Sequence, residues 1–302
     1  MRNVVTGVAA MALVGGSVGV SHLLTGGPLF TAQAVRYAAA FVILLAAARA
    51  ARVPIALPRG REWLWLAGVA VTGLVVFNVA VVRGVAHAEP AVIAVAVACV
   101  PVLLGVLGPL LEGRRPRARI VLAALVVTAG SVLVVGVGHT DAAGVGWAVL
   151  ALVCEAGFTL LAVPVLGRHG PWGVSVHSVW IAAVLLFGLG AVTEGPGATV
   201  RLTAAEWGAV AYLAVLVTAV AFLLWYSTVA ALGAGPVGLL TGAAPISAAL
   251  AGMLLGGAVP GPFVWLGIVV VVAGLAVGLA TRSSERGNIS RPGADLHTVT
   301  PT

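Results

Sequence analysis

Ten times along this chain, a long apolar run is closed by a short break rich in Gly, Pro and Arg. The runs lie at 4–24, 29–48, 63–82, 91–111, 120–137, 145–166, 174–192, 207–230, 237–259 and 263–280. About 20 predominantly apolar residues in a helix cross the hydrocarbon core of a bilayer, and each run is close to that length. Charged residues make up 8% of the 302 and hydrophobic residues 61%, whereas a soluble domain carries about a quarter charged residues. Such a composition cannot clothe a water-soluble surface. The 40 glycines fit the same solvent, because small residues let helix backbones approach closely in lipid. The chain is therefore predicted to be an all-α membrane protein of ten transmembrane helices.

The formal net charge is +7, and all sixteen cationic side chains are Arg. They sit almost entirely in the breaks, which points to membrane orientation and away from a nucleic-acid partner. With the N-terminus in the cytoplasm, thirteen arginines fall on the cytoplasmic side: Arg2, Arg49, Arg52, Arg59, Arg61, Arg114, Arg115, Arg117, Arg119, Arg168, Arg282, Arg286 and Arg291. Arg83 and Arg201 fall outside, and Arg36 lies within a span. This bias predicts both termini in the cytoplasm and the plasma (inner) membrane as the location. The polar stretch 282–302, with its Gly, Ser and Pro, reads as a disordered cytoplasmic tail. Arg2, the first run and Ala32-Gln33-Ala34 mimic a cleavable signal, but the run is long and a second span follows at once, so it is read as a helix. Cys99 and Cys154 lie inside apolar runs and read as small core residues.

Shifting the chain by 144 residues superposes its two halves without gaps at several scarce residues. Glu62-Trp63 falls on Glu206-Trp207, Pro101 on Pro245, Gly108 on Gly252, Pro116 on Pro260 and Gly130 on Gly274. Equivalent positions are five helices apart, and an odd number reverses direction. The prediction is two inverted five-helix repeats (5+5), residues 4–138 and 143–281, about a pseudo-two-fold axis in the membrane plane. The breaks after spans 2 and 4 hold eight arginines, and their counterparts after spans 7 and 9 hold one, Arg201. Antiparallel halves require that asymmetry. Two similar halves can exchange conformations so that a midplane site opens alternately to each side. A transporter is the reading this favours, with a channel or scaffold as the competing class. No H-E-x-x-H metal motif, G-x-S-x-G elbow or ATP-binding P-loop occurs, so an enzyme, a metal site and a cofactor are not expected.

Gly16-Ser17-Val18-Gly19 followed by Ala34-Val35-Arg36-Tyr37 resembles the opening of EamA-type members of the drug/metabolite transporter superfamily, which have a Trp- and Gly-rich first helix and an Arg within the second. Pro101 with Glu112 eleven residues on resembles the end of that family's fourth helix. Gly130 fits its pattern of a glycine with a hydrophobic residue three positions on in helix 5, and Pro245 and Gly274 repeat the plan. The resemblance spans residues 4–281. Two positions depart from it. Gly15 stands where the family has Trp, and Gly256 stands where an acidic counterpart of Glu112 is expected. The resemblance implies efflux or exchange of small metabolites, amino acids or drugs, driven by a proton or substrate gradient. A sugar or nucleotide-sugar carrier is the runner-up. Cargo, direction, coupling ion and oligomeric state, a homodimer included, stay open.

Charges inside spans are costly and mark function or a structural pin. Arg36 lies about 10 Å into the second helix at 1.5 Å per residue; it is a candidate carboxylate contact, or a pin to a carbonyl or to Glu155. Glu155, deep in the sixth run, is a candidate proton carrier for coupled exchange, or a neutral hydrogen-bonding group. His22 and His177 could gate or relay. His87 and Glu89 belong to a short outer loop and read as solvated. Pro101 and Pro245 interrupt matching helices, and paired interruptions are the best sequence pointer to a central site. Asn78, Trp180, Trp225, Tyr226, Tyr37 and Phe222 are candidate cavity walls, with Thr218, Phe222 and Trp225 on one helical face. Trp63, Trp207 and Trp265 read as interfacial anchors. Glycines at four-residue spacing, such as Gly274 and Gly278, suit close helix packing.

Overall fold

The computed structural model describes residues 1–24, 26–254 and 259–279, without the side chains of Val18 and His22. Gly256 and the tail 282–302 lie outside the described residues, as does the side chain of His22. Among the described residues ten helices are long and apolar enough to cross a membrane. They are α1 (Arg2–Ser21), α2 (Leu29–Ala50), α3 (Glu62–Gly84), α4 (Pro90–Leu111), α5 (Ala118–Val135), α6 (Ala142–Leu160), α7 (Val163–Thr193), α8 (Ala204–Leu232), α9 (Ala234–Leu254) and α10 (Pro262–Leu279). The chain is a multi-pass helical membrane protein, as lipid requires every backbone N–H and C=O to find a partner within its own segment.

Besides Asp141, which caps the start of α6 by accepting the Gly144 N–H at 2.7 Å, four carboxylates secure helix ends. Glu206 reaches back to accept the Thr203 N–H at 2.7 Å and its hydroxyl at 2.8 Å, closing a capping box at the start of α8. Glu62 makes the matching reach to the Arg59 N–H at 2.8 Å, 144 positions earlier. Glu194, just past α7, accepts the N–H groups of Phe30 and Thr31 at 2.8 and 2.9 Å and the Thr31 hydroxyl at 2.7 Å. These are otherwise orphaned donors in the first turn of α2. Glu112 accepts the Ala234 N–H at 3.3 Å, holding the start of α9 beside the end of α4.

Packing relies on small residues. α5 lies along α10, and a Cβ on Gly267 would stand 2.6 Å from the Gly130 carbonyl oxygen; one on Gly130 would stand 2.8 Å from the Val271 nitrogen. Gly15 sits equally hard against the Ala244 carbonyl, joining α1 to α9. α2 packs along α7, and α6 packs against α3 and α4. The largest buried cluster draws Tyr37 and Leu44 from α2, Leu66 from α3, Phe158 from α6, Leu186 from α7 and Tyr226 from α8.

The sequence leaves a break at 167–173 between the runs 145–166 and 174–192, and the non-helical Gly170 falls within it; a second interruption, at Leu161 and Ala162, was not expected. α6 ends at Leu160, and α7 starts at Val163 and runs to Thr193 across a kink at Gly170, whose φ is 62°. Pro164 lacks the N–H that would continue the ladder of α6. Because the residues around this interruption are apolar, hydropathy cannot register it. Gly170 takes the left-handed conformation with Pro171 immediately after it, and a side chain at that φ would be strained.

Four further departures from regular helix lie in the spans. α3 is π-helical from Ala70 to Val76, and α8 from Leu213 to Val220. α4 is interrupted at Cys99, two residues before Pro101, and α9 passes through a 3-10 turn at Leu239–Gly242, three residues before Pro245.

Candidate functional site

The polar groups inside the bundle gather where α2 meets the two π-helical stretches. Arg36, buried on α2, donates from Nε to the Thr218 hydroxyl at 2.8 Å and from Nη1 to Gln33 Oε1 at 3.1 Å. Thr218 belongs to the wide turns of α8. Gln33 donates from Nε2 to Asn78 Oδ1 at 3.2 Å. Asn78 in turn donates to the Tyr37 hydroxyl at 3.3 Å and to the Leu74 carbonyl at 2.6 Å, within the wide turns of α3. Such turns loosen the normal i→i−4 ladder and recur at functional sites. Five side chains from three helices are thus one connected network.

All four hydrogen-bonding neighbours of this network are neutral, so the guanidinium keeps an uncompensated charge. Among the described residues no carboxylate forms an ion pair with Arg36, and the alternative of a pin to Glu155 is not what the structure shows. Gln33 was not singled out from sequence, yet its place three residues before Arg36, on the same helical face, was a readable signal.

Glu155 occupies a half-buried place on α6. One turn further on, Thr159 accepts the Trp225 indole N–H at 3.0 Å, and the Phe158 carbonyl accepts the Tyr226 hydroxyl at 3.1 Å. Phe158 also stacks against Phe222 and Tyr226, with ring centroids 4.9 and 5.2 Å apart. Trp225 and Tyr226, read as cavity walls, are buried in the seam between α6 and α8 with their polar atoms satisfied. The Glu155 carboxylate forms no salt bridge or hydrogen bond among the described residues. Pro245 begins a stretch of α9 in which residues 244–251 are all half-buried, and residues 95–99 before Pro101 are likewise half-buried.

His177 and Trp180 lie apart from this network. The Trp180 indole donates to His177 Nδ1 at 3.2 Å, and His177 Nε2 meets the Ala56 carbonyl at 2.9 Å. The acceptor at Nδ1 fixes a neutral imidazole with its proton on Nε2. Trp63, expected as an interfacial anchor, stands edge-on to Trp180 and His177 at 6.0 and 6.5 Å. With α2 they border a cavity of about 540 Å³. Beside it, Glu62 collects Arg168 and His169, the latter at 3.1 Å. Neither His169 nor Arg168 was anticipated as a partner of Glu62, because more than a hundred residues separate them.

On the opposite side, the loops after α3 and α5 are crossed by two pairs, His87 with Asp141 at 3.1 Å and His139 with Glu89 at 3.2 Å. His87 and Glu89 are exposed, as expected. The Gly144 N–H, and after it His87, holds the Asp141 carboxyl below the usual carboxylate range. Among the described residues no cluster of three or more His, Cys, Asp or Glu is arranged to hold a metal.

Comparison with known proteins agrees with this architecture. The family model described as "EamA-like transporter family" matches residues 3–136 and again 142–279. The chain is 28% identical over 280 residues to "Uncharacterized transporter YetK" of Bacillus subtilis, covering 89% of this chain and 84% of that one. It is 27% identical over 239 residues to the "Probable terminal-alkyne amino-acid exporter" of Streptantibioticus cattleyicolor, covering 78% and 80%. A solved crystal structure superposes with a TM-score of 0.79 at 22% identity, covering 93% of this chain and 98% of that one. That last likeness speaks to the fold alone.

Proposed function

The chain belongs to the EamA-like transporter family, and from that premise we propose that it is a secondary exporter of small carboxylate-bearing metabolites, amino acids among them, across the plasma membrane. The observation that carries this reading is Arg36: a buried guanidinium on neutral partners Thr218 and Gln33. An uncompensated charge inside a bundle is unfavourable, and a substrate carboxylate would compensate it. The relative named as an amino-acid exporter supports the same class.

Transport proceeds by alternating access of two inverted repeats, residues 4–138 and 143–281, with both termini in the cytoplasm. Three observations at the 144-residue spacing support that arrangement: the π-helical stretches of α3 and α8, the interruptions before Pro101 and Pro245, and the reach-back caps of Glu62 and Glu206. Glu155, the unpaired carboxylate of α6, is the proton carrier in this scheme. Pro101 and Pro245 border the substrate path, and Asn78 helps to orient Arg36.

The deciding experiment is counterflow in proteoliposomes. Preloading with unlabelled amino acid should accelerate entry of the labelled one. A flux indifferent to preloading would mean a channel, and none at all with amino acids, sugars or nucleotide sugars would mean a scaffold. Orientation is tested with Ala86→Cys in a background lacking Cys99 and Cys154. An impermeant maleimide added to intact cells should label it, and labelling solely after lysis would reverse the topology.

A further inference from the structure

The cavity between α2, α3 and α7 is not part of the Arg36 network. Arg49 lies on its wall, thirteen residues along α2 from Arg36, which is about 20 Å at 1.5 Å per residue. Its lining is apolar and aromatic: Phe41 and Leu45 from α2, Ile55 from the following loop, Trp63 and Trp180. Its volume of about 540 Å³ is within the roughly 300–1,000 Å³ of sites that take small molecules.

The rim has the opposite character. Arg49 lines it, and Arg52, Arg59 and Arg61 follow within thirteen residues in the segment that leads from α2 to α3; all four are exposed, and among the described residues their side chains form no salt bridge. The acid that follows them, Glu62, is already held by Arg168 and His169. His177, the titratable group on the wall, is engaged by Ala56 and Trp180. The cavity thus joins a hydrocarbon-like hollow to a cationic edge at the level where the helices leave the membrane. That is the combination an anionic lipid presents in mirror image: an apolar chain below a phosphate.

We propose that this cavity seats an anionic phospholipid, with one acyl chain between Phe41, Leu45 and Trp180 and its phosphate on Arg49. Charge complementarity selects the occupant. A zwitterionic lipid offers the same chain but no net charge to Arg49 and the basic segment that follows it, and basic residues near a membrane surface each favour anionic lipid appreciably. The binding of the lipid does not depend on what the protein transports, so failure of the transport assay would leave this assignment untouched.

The test uses the full chain in nanodiscs doped with brominated-chain phosphatidylglycerol or with the same chain on phosphatidylcholine. The signal is the tryptophan fluorescence lost in the Trp63→Phe/Trp180→Phe variant. In the wild type, phosphatidylglycerol should quench it at about five-fold lower mole fraction than phosphatidylcholine. Arg49→Gln should narrow that gap, Arg49→Lys should keep it, and Leu45→Phe, which fills the hollow, should weaken quenching by both lipids. Equal quenching in the wild type would overturn the proposal. So would an undiminished preference in Arg49→Gln, or quenching unchanged in Leu45→Phe.

Discussion

Replacing Arg36 by glutamine should separate what the guanidinium does for the fold from what it does for a substrate. On the side of the fold, the variant loses two charge-assisted bonds, to Thr218 and Gln33. Each such bond contributes about 1.5–3 kcal/mol net. Against this stands the cost of carrying an arginine to the middle of a membrane helix, about 2.5–3.5 kcal/mol on the insertion scale, which the variant no longer bears. The two effects partly cancel, and the net loss of stability should lie between about zero and about 3.5 kcal/mol. On the side of the substrate nothing cancels. A carboxylate that loses a charged donor forfeits about 1.5–3 kcal/mol, or roughly a 10- to 150-fold rise in half-saturation concentration. The assay is counterflow in proteoliposomes with an amino acid and with its decarboxylated amine, alongside thermal unfolding in detergent. The amino acid should lose affinity and the amine should not, with Arg36→Lys intermediate because lysine restores charge without the planar fork. An amino-acid affinity that survives while the unfolding temperature drops would make Arg36 a structural pin and refute the reasoning.

Glu155→Gln should abolish flux driven by a pH gradient while leaving exchange of internal for external substrate; unchanged gradient-driven flux would remove Glu155 from coupling. Gly267→Leu should force α5 and α10 apart, since the Cβ alone would stand 2.6 Å from the Gly130 carbonyl oxygen; overpacking of this kind costs about 1–3 kcal/mol, read as earlier thermal aggregation, and an unaltered melt would deny the contact. The Asp141 cap should follow the sign of a depressed carboxyl pKa. Its contribution is complete above the ordinary carboxylate value and is lost only as pH falls through the lower folded one. Hydrogen exchange at the Gly144 amide should therefore stay protected from neutral pH down through the ordinary carboxylate range, and protection already failing near pH 6 would exclude Asp141 as the cap.

The ten spans were readable because hydropathy reports the solvent of a segment directly, and Arg36 was readable because a charge within a span has no neutral explanation. Its partners were less so. Gln33 could have been found at three-residue spacing, but Thr218 lies 182 positions away, and nothing local says that α8 passes α2 there. The π-helical stretches left no trace either, since Ala70–Val76 and Leu213–Val220 are as apolar as their neighbours. Trp225 and Tyr226 show the limit of reading side chains by size. Their size suggested a cavity wall, but each has its single polar atom bonded to α6, and burial with a satisfied donor makes them braces. The interruption at Leu161 and Ala162 left no trace because Pro164 falls in a run that stays apolar on both sides.

The wide turns of α3 and α8 have a mechanical meaning. A π turn accommodates an additional residue, so it is slack stored in the thread of a screw. Were that slack to move along the helix, each residue it passes would rotate by about 100° and advance by about 1.5 Å, while the helix on either side keeps its place. In α3 the part so turned carries Asn78, and in α8 it carries Phe222, Trp225 and Tyr226. Migration of the π turns would therefore re-aim the inner side chains of both helices one at a time, without moving the helices as bodies.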